Sequence, residues 1–397
     1  MPRHAIDLQL DLLSPLSVGT SIETAELPAA IPGSALRGAV ASLYLNIGEA
    51  TDDLFHLLFL DGATWPDLCS RERTASRPVP LTAMTCKRYP GFRGVAPENA
   101  AIPERPHGVD DTLVASEVLT LTGNGRVSLE HARCPRCTQQ RFSVATVPMH
   151  GYAERRDAGR YTSQELRRAV TSTSAVDRLS GTSDGHVLHR PVFAAPARVG
   201  GIIHVQDERA ATFVQEQLLH PGREFSIGSG RSHGLGLVRV RRCRSDVASS
   251  WPALTDRLDT LHQAIESAAP GTSRAPWRYV SITLQSDAIL MDPFFRYRTT
   301  IEGTDIGVPL LQLRRAASQE TRVGGWNAAA GLPKERATAI SRGAVFLYRY
   351  PADHHQEVAA ALAEAEANGC GERRAEGYGR FYINDPFHME VHELWQS

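Results

Sequence analysis

A chain of 397 residues, 42% hydrophobic and 22% charged, has the composition of a soluble globular protein with room for two or three domains. Its formal net charge of −1 lacks the basic signature usual in nucleic-acid binders, so any such binding must come from locally clustered cations. No run approaches the ~20 apolar residues that span a bilayer, and MPRHAIDLQLDLL has no signal-peptide core, so a cytoplasmic location is expected, with the six cysteines as thiols or metal ligands rather than disulfides.

Ile6, Leu8, Leu10 and Leu12 alternate with Asp7, Gln9 and Asp11, the period of a half-buried strand. Pro32-Gly33-Ser34 makes a turn whose serine can cap a helix, and Leu36, Val40, Leu43 and Ile47 then recur at helical spacing. From 62 to 200 the chain is rich in Pro, Gly, Ser, Thr and Arg and reads as a long irregular insertion. It holds four of the six cysteines, which argues that metal orders part of it. Cys134-Pro-Arg-Cys137 has the spacing that turns two thiolates toward one tetrahedral ion. Cys86 is the best third ligand and His107 the best fourth, with His131 and Cys69 as further candidates. Structural zinc is expected over unligated thiols, and a redox pair lacks a thioredoxin-like context. Arg155 to Gly181 carries six arginines. By composition it is a solvated segment; its functional reading, with Arg168 and Arg178, is an arm lying along nucleic acid.

A repeat follows. Ile202 to Val205 reads as a strand and Asp207 to Leu219 as a helix with Ala210, Phe213, Val214 and Leu218 on one face. The turn GSGRSHGLG and a strand from Leu235 to Arg242 close the unit. The same order recurs in Ala344 to Tyr350, Asp353 to Asn368, the turn GERRAEGYG and Arg380 to Ile383. An offset of 143 residues superimposes Arg231 on Arg374, Gly234 on Gly377 and Gly236 on Gly379. A strand from Tyr279 to Leu290 opens the second unit. The expected class is therefore α+β, with two ferredoxin-like (RRM-like) domains. They span 1–245, with the insertion at 62–200, and 276–397, joined by a linker at 246–275 that contains a short helix.

Glycine lets a backbone approach a ligand closely, and arginine beside it supplies charge and a planar donor fork. Arg231 to Arg244 contains five arginines and no acid, and Arg239 and Arg241 share the strand face opposite Val238 and Val240, where they can meet phosphate. Trp326 among Arg322, Lys334 and Arg336 is either a base-stacking aromatic or a core tryptophan with charges around it. His233 in the first turn can serve as a general base, but its counterpart is Glu376.

IPGSALRGAVASLY resembles the first helix of RAMP-superfamily proteins of CRISPR systems, and GSGRSHGLGLVRV and AEGYGRFYI resemble their glycine-rich loops. The run TCKRYPGF, HGVDDTL, CPRC is similar to the RAMP subunit of subtype III-D effector complexes, over most of the chain. GWNAAAGLPK and AISRGAVFLY resemble the second domain of type III subunits that hold the 5′ handle of CRISPR RNA (crRNA). The first turn departs in having Leu235 where an aromatic is common. The resemblance implies a non-catalytic RNA-binding subunit that binds the handle and meets the large polymerase-like subunit and the backbone RAMP subunits. The expected RNA-binding residues are Arg37, Lys87, Arg88, Arg168, Arg178, Arg231, Ser232, His233, Arg322, Trp326, Lys334, Arg373 and Arg374. Cys86, His107, Cys134 and Cys137 match the zinc-like pattern. The competing expectation is a metal-independent endoribonuclease that matures crRNA with His233.

Overall fold

The structure is a computed structural model that describes residues 4–18, 27–47, 51–72, 74, 76–93, 105–123, 132–176, 183–245, 252–271, 276–327 and 330–394. It is a mixed α/β fold built from several antiparallel sheets. In the first large sheet the strands run Glu224–Ser226, Leu237–Arg244, His4–Leu12 and Ala197–Val205, with Ala63–Thr64 and Cys69–Ser70 both paired to the last. The alternation read at Ile6 to Leu12 sends those four side chains into a core with Leu36 and Val40 of helix Gly33–Leu45. Ala210, Val214 and Leu218 join them from helix Glu208–Phe213 and the single π turn that extends it. Ser34 does not cap the first helix. Its leading amide, that of Gly33, donates instead to Asp67 Oδ1 at 2.8 Å, so a side chain 34 residues away answers the helix start.

The opposite face of this sheet is polar. Arg71 pairs with the buried Asp7, Arg239 with Glu224 at 2.6 Å, and Arg241 approaches Asp11 at 3.7 Å. Arg239 and Arg241 therefore do not form the uncommitted phosphate stripe that their alternation suggests, because carboxylates from neighbouring strands answer them.

The second large sheet has the order Gln312–Ala317, Val345–Pro351, Trp277–Leu284, Phe381–Ile383. Val280, Ile282, Leu284, Phe346, Tyr348 and Tyr350 pack on Val358, Leu362 and Ala365 of helix His355–Asn368. Tyr279, Val345 and Leu347 face the other way, onto Leu113, Leu261 and Ile265. Both faces are thus covered. Leu261 and Ile265 belong to helix Leu254–Ala268, which lies in the span read as a linker but is packed into this sheet. Its Arg257 is held by both carboxylate oxygens of Glu366 at 2.9 Å and by the Ile383 carbonyl. The opening strand stops at Leu284, short of the expected Leu290, where Gln285 turns off to bond the Arg380 carbonyl at 2.8 Å.

The span 62–200 is also more ordered than its composition suggests. Strand Ala83–Cys86 pairs with Val109–Asp111 and Thr146–Pro148, and Tyr152–Asp157 with Arg77–Pro78 and Arg160–Ser163. Val79, Ala83, Phe92, Val109 and Tyr161 form a core there that Phe387 and Val391 complete from far along the chain. Arg155 donates to both carboxylate oxygens of Glu390, at 2.8 and 2.5 Å. Strands Arg168–Val176 and Ser183–Phe193 form a hairpin arm. No helix among the described residues is long and apolar enough to cross a membrane.

Candidate nucleic-acid interface and metal centre

The two glycine-rich turns share one backbone course and most of its hydrogen bonds. Arg231–His233 and Arg374–Glu376 are each a single 3₁₀ turn. A left-handed residue precedes each (Gly230 at φ 76°, Arg373 at φ 57°), and a left-handed glycine follows (Gly234 at φ 76°, Gly377 at φ 97°). Gly236 N bonds Pro15 O and Gly379 N bonds Asp287 O, both at 2.8 Å. Ser229 N bonds Ser17 O at 2.8 Å, and Glu372 N bonds Ile289 O at 2.9 Å. Leu237 N and Arg380 N each donate to a serine hydroxyl, Ser14 at 2.9 Å and Ser286 at 3.0 Å. The register of 143 residues seen in the turns therefore extends to the loop after each opening strand, at an offset of 272. A Cβ on Gly236 would strike the Ile227 carbonyl, and one on Gly379 the Cys370 carbonyl, so only glycine fits at either position.

The arms are duplicated as well. A bridge between Leu16 and Phe193 ties the base of the first hairpin beside the first turn. Its counterpart, between Ala288 and Ile340, ties Glu320–Val323 and Ala337–Ile340 beside the second. Farther out on that second arm, Trp326–Asn327 pairs with Leu332–Pro333. Trp326 is 58% exposed there, so the core reading of this tryptophan is excluded.

The structure sorts the expected RNA contacts. Arg231, Ser232, His233 and Arg374 are exposed on the turns, Arg168 is exposed where the first arm begins, and Arg322 is exposed on the second. His233 Nδ1 lies 3.2 Å from Ser232 Oγ. Lys87 and Arg88 are exposed beside the cysteine cluster, with the Arg88 guanidinium 4.9 Å from the Phe142 ring centroid. Lys334 is committed to Glu376 at 2.7 Å, and Arg373 stands 4.0 Å from the same carboxylate. Arg37 donates through Nε to the Phe59 carbonyl at 2.8 Å, closing the end of helix Asp52–Phe59. Arg178 and His131 lie outside the described residues. Sequence reading missed Arg342 and Arg380. Arg342 joins Asp67 at 2.6 Å, Asp287 at 2.7 Å and Tyr152 Oη at 2.7 Å, and Arg380 donates to the Ile202 carbonyl at 3.0 Å. Neither has a periodic or motif signal; each is one cation in a loop or at a strand end.

Cys86, His107, Cys134 and Cys137 come together, all buried, with ligand atoms within 4.8 Å of one another. Cys69, the alternative, is buried elsewhere, beside Ala30 and Tyr152. The Cys86 and Cys137 sulfurs are 3.6 Å apart, and His107 Nδ1 is 3.3 Å from Cys134 Sγ and 3.5 Å from Cys137 Sγ. A tetrahedral ion with metal–sulfur bonds of ~2.3 Å and metal–nitrogen bonds of ~2.0 Å requires separations of roughly 3.8 and 3.6 Å. These three separations lie within a few tenths of an ångström of those values, and the 4.8 Å bound on the rest leaves the donor set within reach of one ion. Burial first, and then the neighbouring thiols, push the Cys137 thiol up to about 12 without a metal. A cation that displaces those protons relieves this strain.

No family model and no curated protein matches this chain. Among solved structures it is similar to a chain of the Type III-B Cmr-beta complex bound to cognate target RNA and AMPPnP. The identity is 11% and the TM-score 0.41, over 86% of each chain. It is also similar to a chain of a Cas6 product complex, at 11% identity and TM-score 0.34 over 96% of this chain and 100% of that one. Cmr4 from Pyrococcus furiosus matches at 14% identity and TM-score 0.28, over 62% of this chain and 99% of that one. Likeness this loose carries no function across.

Proposed function

We propose that the chain consists of two ferredoxin-like units in tandem and serves as a non-catalytic RNA-binding subunit of a type III CRISPR effector complex, of subtype III-D. In this reading it holds the 5′ handle of crRNA and meets the large polymerase-like subunit and the backbone RAMP subunits. The observation that carries the reading is the duplicated turn, with Arg231 and Arg374 exposed at the same register of one backbone. A turn bracketed by left-handed residues aims successive N–H groups at an anion, and an arginine on it adds charge. The sheets are not the RNA surface of this reading, since one face is lined by ion pairs and the other sheet is covered twice. The RNA instead lies along the turns and the two arms, where Trp326 can stack a base. Zn²⁺ in the four-residue cluster is structural in this reading. It cross-links the insertion, and four protein ligands leave it no open position for chemistry.

The test is handle binding at physiological salt. The Arg231→Ala, Arg374→Ala double variant is expected to lose about 10–100-fold in affinity, with a salt slope shallower by roughly 2. Unchanged affinity refutes the reading. The endoribonuclease alternative is read in the same preparation, as cleavage of precursor RNA in EDTA. Intact RNA is expected; cleavage abolished by His233→Ala would replace the binding role with a catalytic one.

A further inference from the structure

Three short segments meet over the cysteine cluster and build a surface of their own. Lys87 N bonds Ala145 O at 3.1 Å, and Arg133 is bridged to the same Ala145. Arg141 N bonds Thr138 O at 2.9 Å and Phe142 N bonds Cys137 O at 2.8 Å, so the residues after helix Pro135–Gln139 are tied back to it. Arg141 takes a left-handed backbone there (φ 67°), a costly conformation for a residue with a Cβ. This course leaves the Phe142 ring 50% exposed, with the Arg88 guanidinium 4.9 Å from its centroid. Arg88 also lies 5.2 Å from the ring centroid of Tyr89, which rests on His107 with centroids 4.6 Å apart. The exposed ring and its cation are therefore fixed to the cluster itself.

Lys87, Arg88, Arg133 and Arg141 are all exposed. Among the described residues, none of the four side chains has an ion pair or a hydrogen bond. Other exposed arginines are answered: Arg239 by Glu224 at 2.6 Å and Arg296 by Asp292 at 2.7 Å. Glu393 senses Arg93 and Arg136, but its carboxylate is spent on the amides of Arg93 and Val109, at 2.9 and 3.1 Å. In a chain of net charge −1, this is a local excess of positive charge around one exposed aromatic.

We infer that this surface is a second site, apart from the two turns, for single-stranded nucleic acid. One unpaired base stacks on the part of the Phe142 ring that Arg88 leaves open. The phosphates flanking that base lie against Lys87, Arg88, Arg133 and Arg141. The charge selects this occupant. The core of a protein interface is apolar and depleted in charge, whereas here one aromatic stands among four uncommitted cations. A duplex keeps its bases stacked inside and offers the ring no face. An unpaired base of any identity offers one, and its phosphates supply the charge that the cations lack. RNA and DNA single strands share this chemistry, so both are tested. The inference does not rest on the handle reading, because none of its contacts lies on the turns or the arms.

The probe is an oligouridylate of about ten nucleotides with one central 2-aminopurine, whose fluorescence is quenched on stacking. A deoxythymidine version and a duplex complete the set. Each is titrated into the full chain carrying Arg231→Ala and Arg374→Ala, so failure of the handle reading leaves the result untouched. Phe142→Leu keeps an apolar side chain and removes the ring. It is expected to weaken single-strand binding by about 10-fold and remove most of the quenching. Phe142→Trp, with a larger ring, is expected to tighten binding, which tests the ring without relying on a loss. Arg88→Gln with Arg133→Gln is expected to weaken binding and make the salt slope shallower by roughly 1.4. The duplex is expected to bind at least about 10-fold more weakly than the single strands. Ring-dependent quenching with either single strand supports the inference, and the tighter of the two identifies the source. Absence of single-strand binding overturns it, as do unchanged affinity and quenching in the Leu and Gln variants. Loss in the Gln variant alone, with polyglutamate competing as well as the strand, also overturns it and makes the surface a seat for an acidic protein.

Discussion

Replacing Arg342 by methionine tests whether the two large sheets are held as one body. Its guanidinium makes charge-assisted bonds to Asp67 at 2.6 Å and to Asp287 at 2.7 and 3.1 Å, and a fourth bond to Tyr152 Oη at 2.7 Å. The side chain is 22% exposed, and the two aspartates are 14% and 12% exposed. Removing one partner of a fully buried pair costs about 3–5 kcal/mol, because the other charge is stranded. Partial solvent contact screens some of that here, which leaves about 2–4 kcal/mol. Methionine keeps the stem's packing, so the loss reports the polar joint. Arg342→Lys is expected to recover less than half of it, because an ammonium cannot span two carboxylates and a phenol as a planar fork does. The assay is denaturant unfolding read together with hydrogen exchange at the Gly33 amide, whose acceptor is Asp67 Oδ1. The expected result is faster exchange at Gly33 and an early transition in which the two large sheets separate before either unfolds. A cost under about 1 kcal/mol with unchanged exchange would refute the assignment of Arg342 as the fastener.

Two further outcomes follow from the buried clusters. Freshly purified protein is expected to carry about one equivalent of zinc, and Cys134→Ser to lose it along with thermal stability; metal analysis that finds none discards the four-ligand site. His388 and Asp111 are fully buried 3.1 Å apart, and His388 Nε2 lies 2.8 Å from Thr283 Oγ1. Burial pulls the imidazole's pKa down, but the Asp111 charge and hydrogen bond outweigh it and hold it above the ordinary 6.5. That stabilisation is complete below pH 6.5 and fades as pH rises through the raised folded value. Burial pushes the Asp111 carboxyl up, His388 overcomes that, and the lowered value makes its share fade only in acid. The stability lost in His388→Gln should therefore be larger at pH 6 than at pH 9; an equal loss at both would show that the pair is not charged.

The strands and helices around the two large sheets were legible because their cores are periodic: Ile6 to Leu12, Val280 to Leu284, Val358 to Leu362. The gathering of Cys86, His107, Cys134 and Cys137 was legible because Cys134 and Cys137 sit one turn apart and thiols are scarce enough for Cys86 to stand out. The order within 62–200 was not. Its core borrows Phe387 and Val391, and no local pattern shows a partner some 300 residues away. The arms went unseen as a pair because they share position, not sequence. Arg239 and Arg241 misled for a related reason: alternation shows which face a side chain takes, not which carboxylate the next strand brings beside it.

The segment from Phe387 to Leu394 bears on how the chain is made. Within these eight residues Glu390 holds Arg155 and Tyr161, Glu393 accepts the amides of Arg93 and Val109, and the Leu394 amide donates to Asp110. Leu394 also packs on Cys86, Cys134 and Cys137. On the ribosome the insertion emerges long before this segment and waits with Val79, Phe92 and Tyr161 uncovered. Completion of its core is therefore postponed until the later segment arrives.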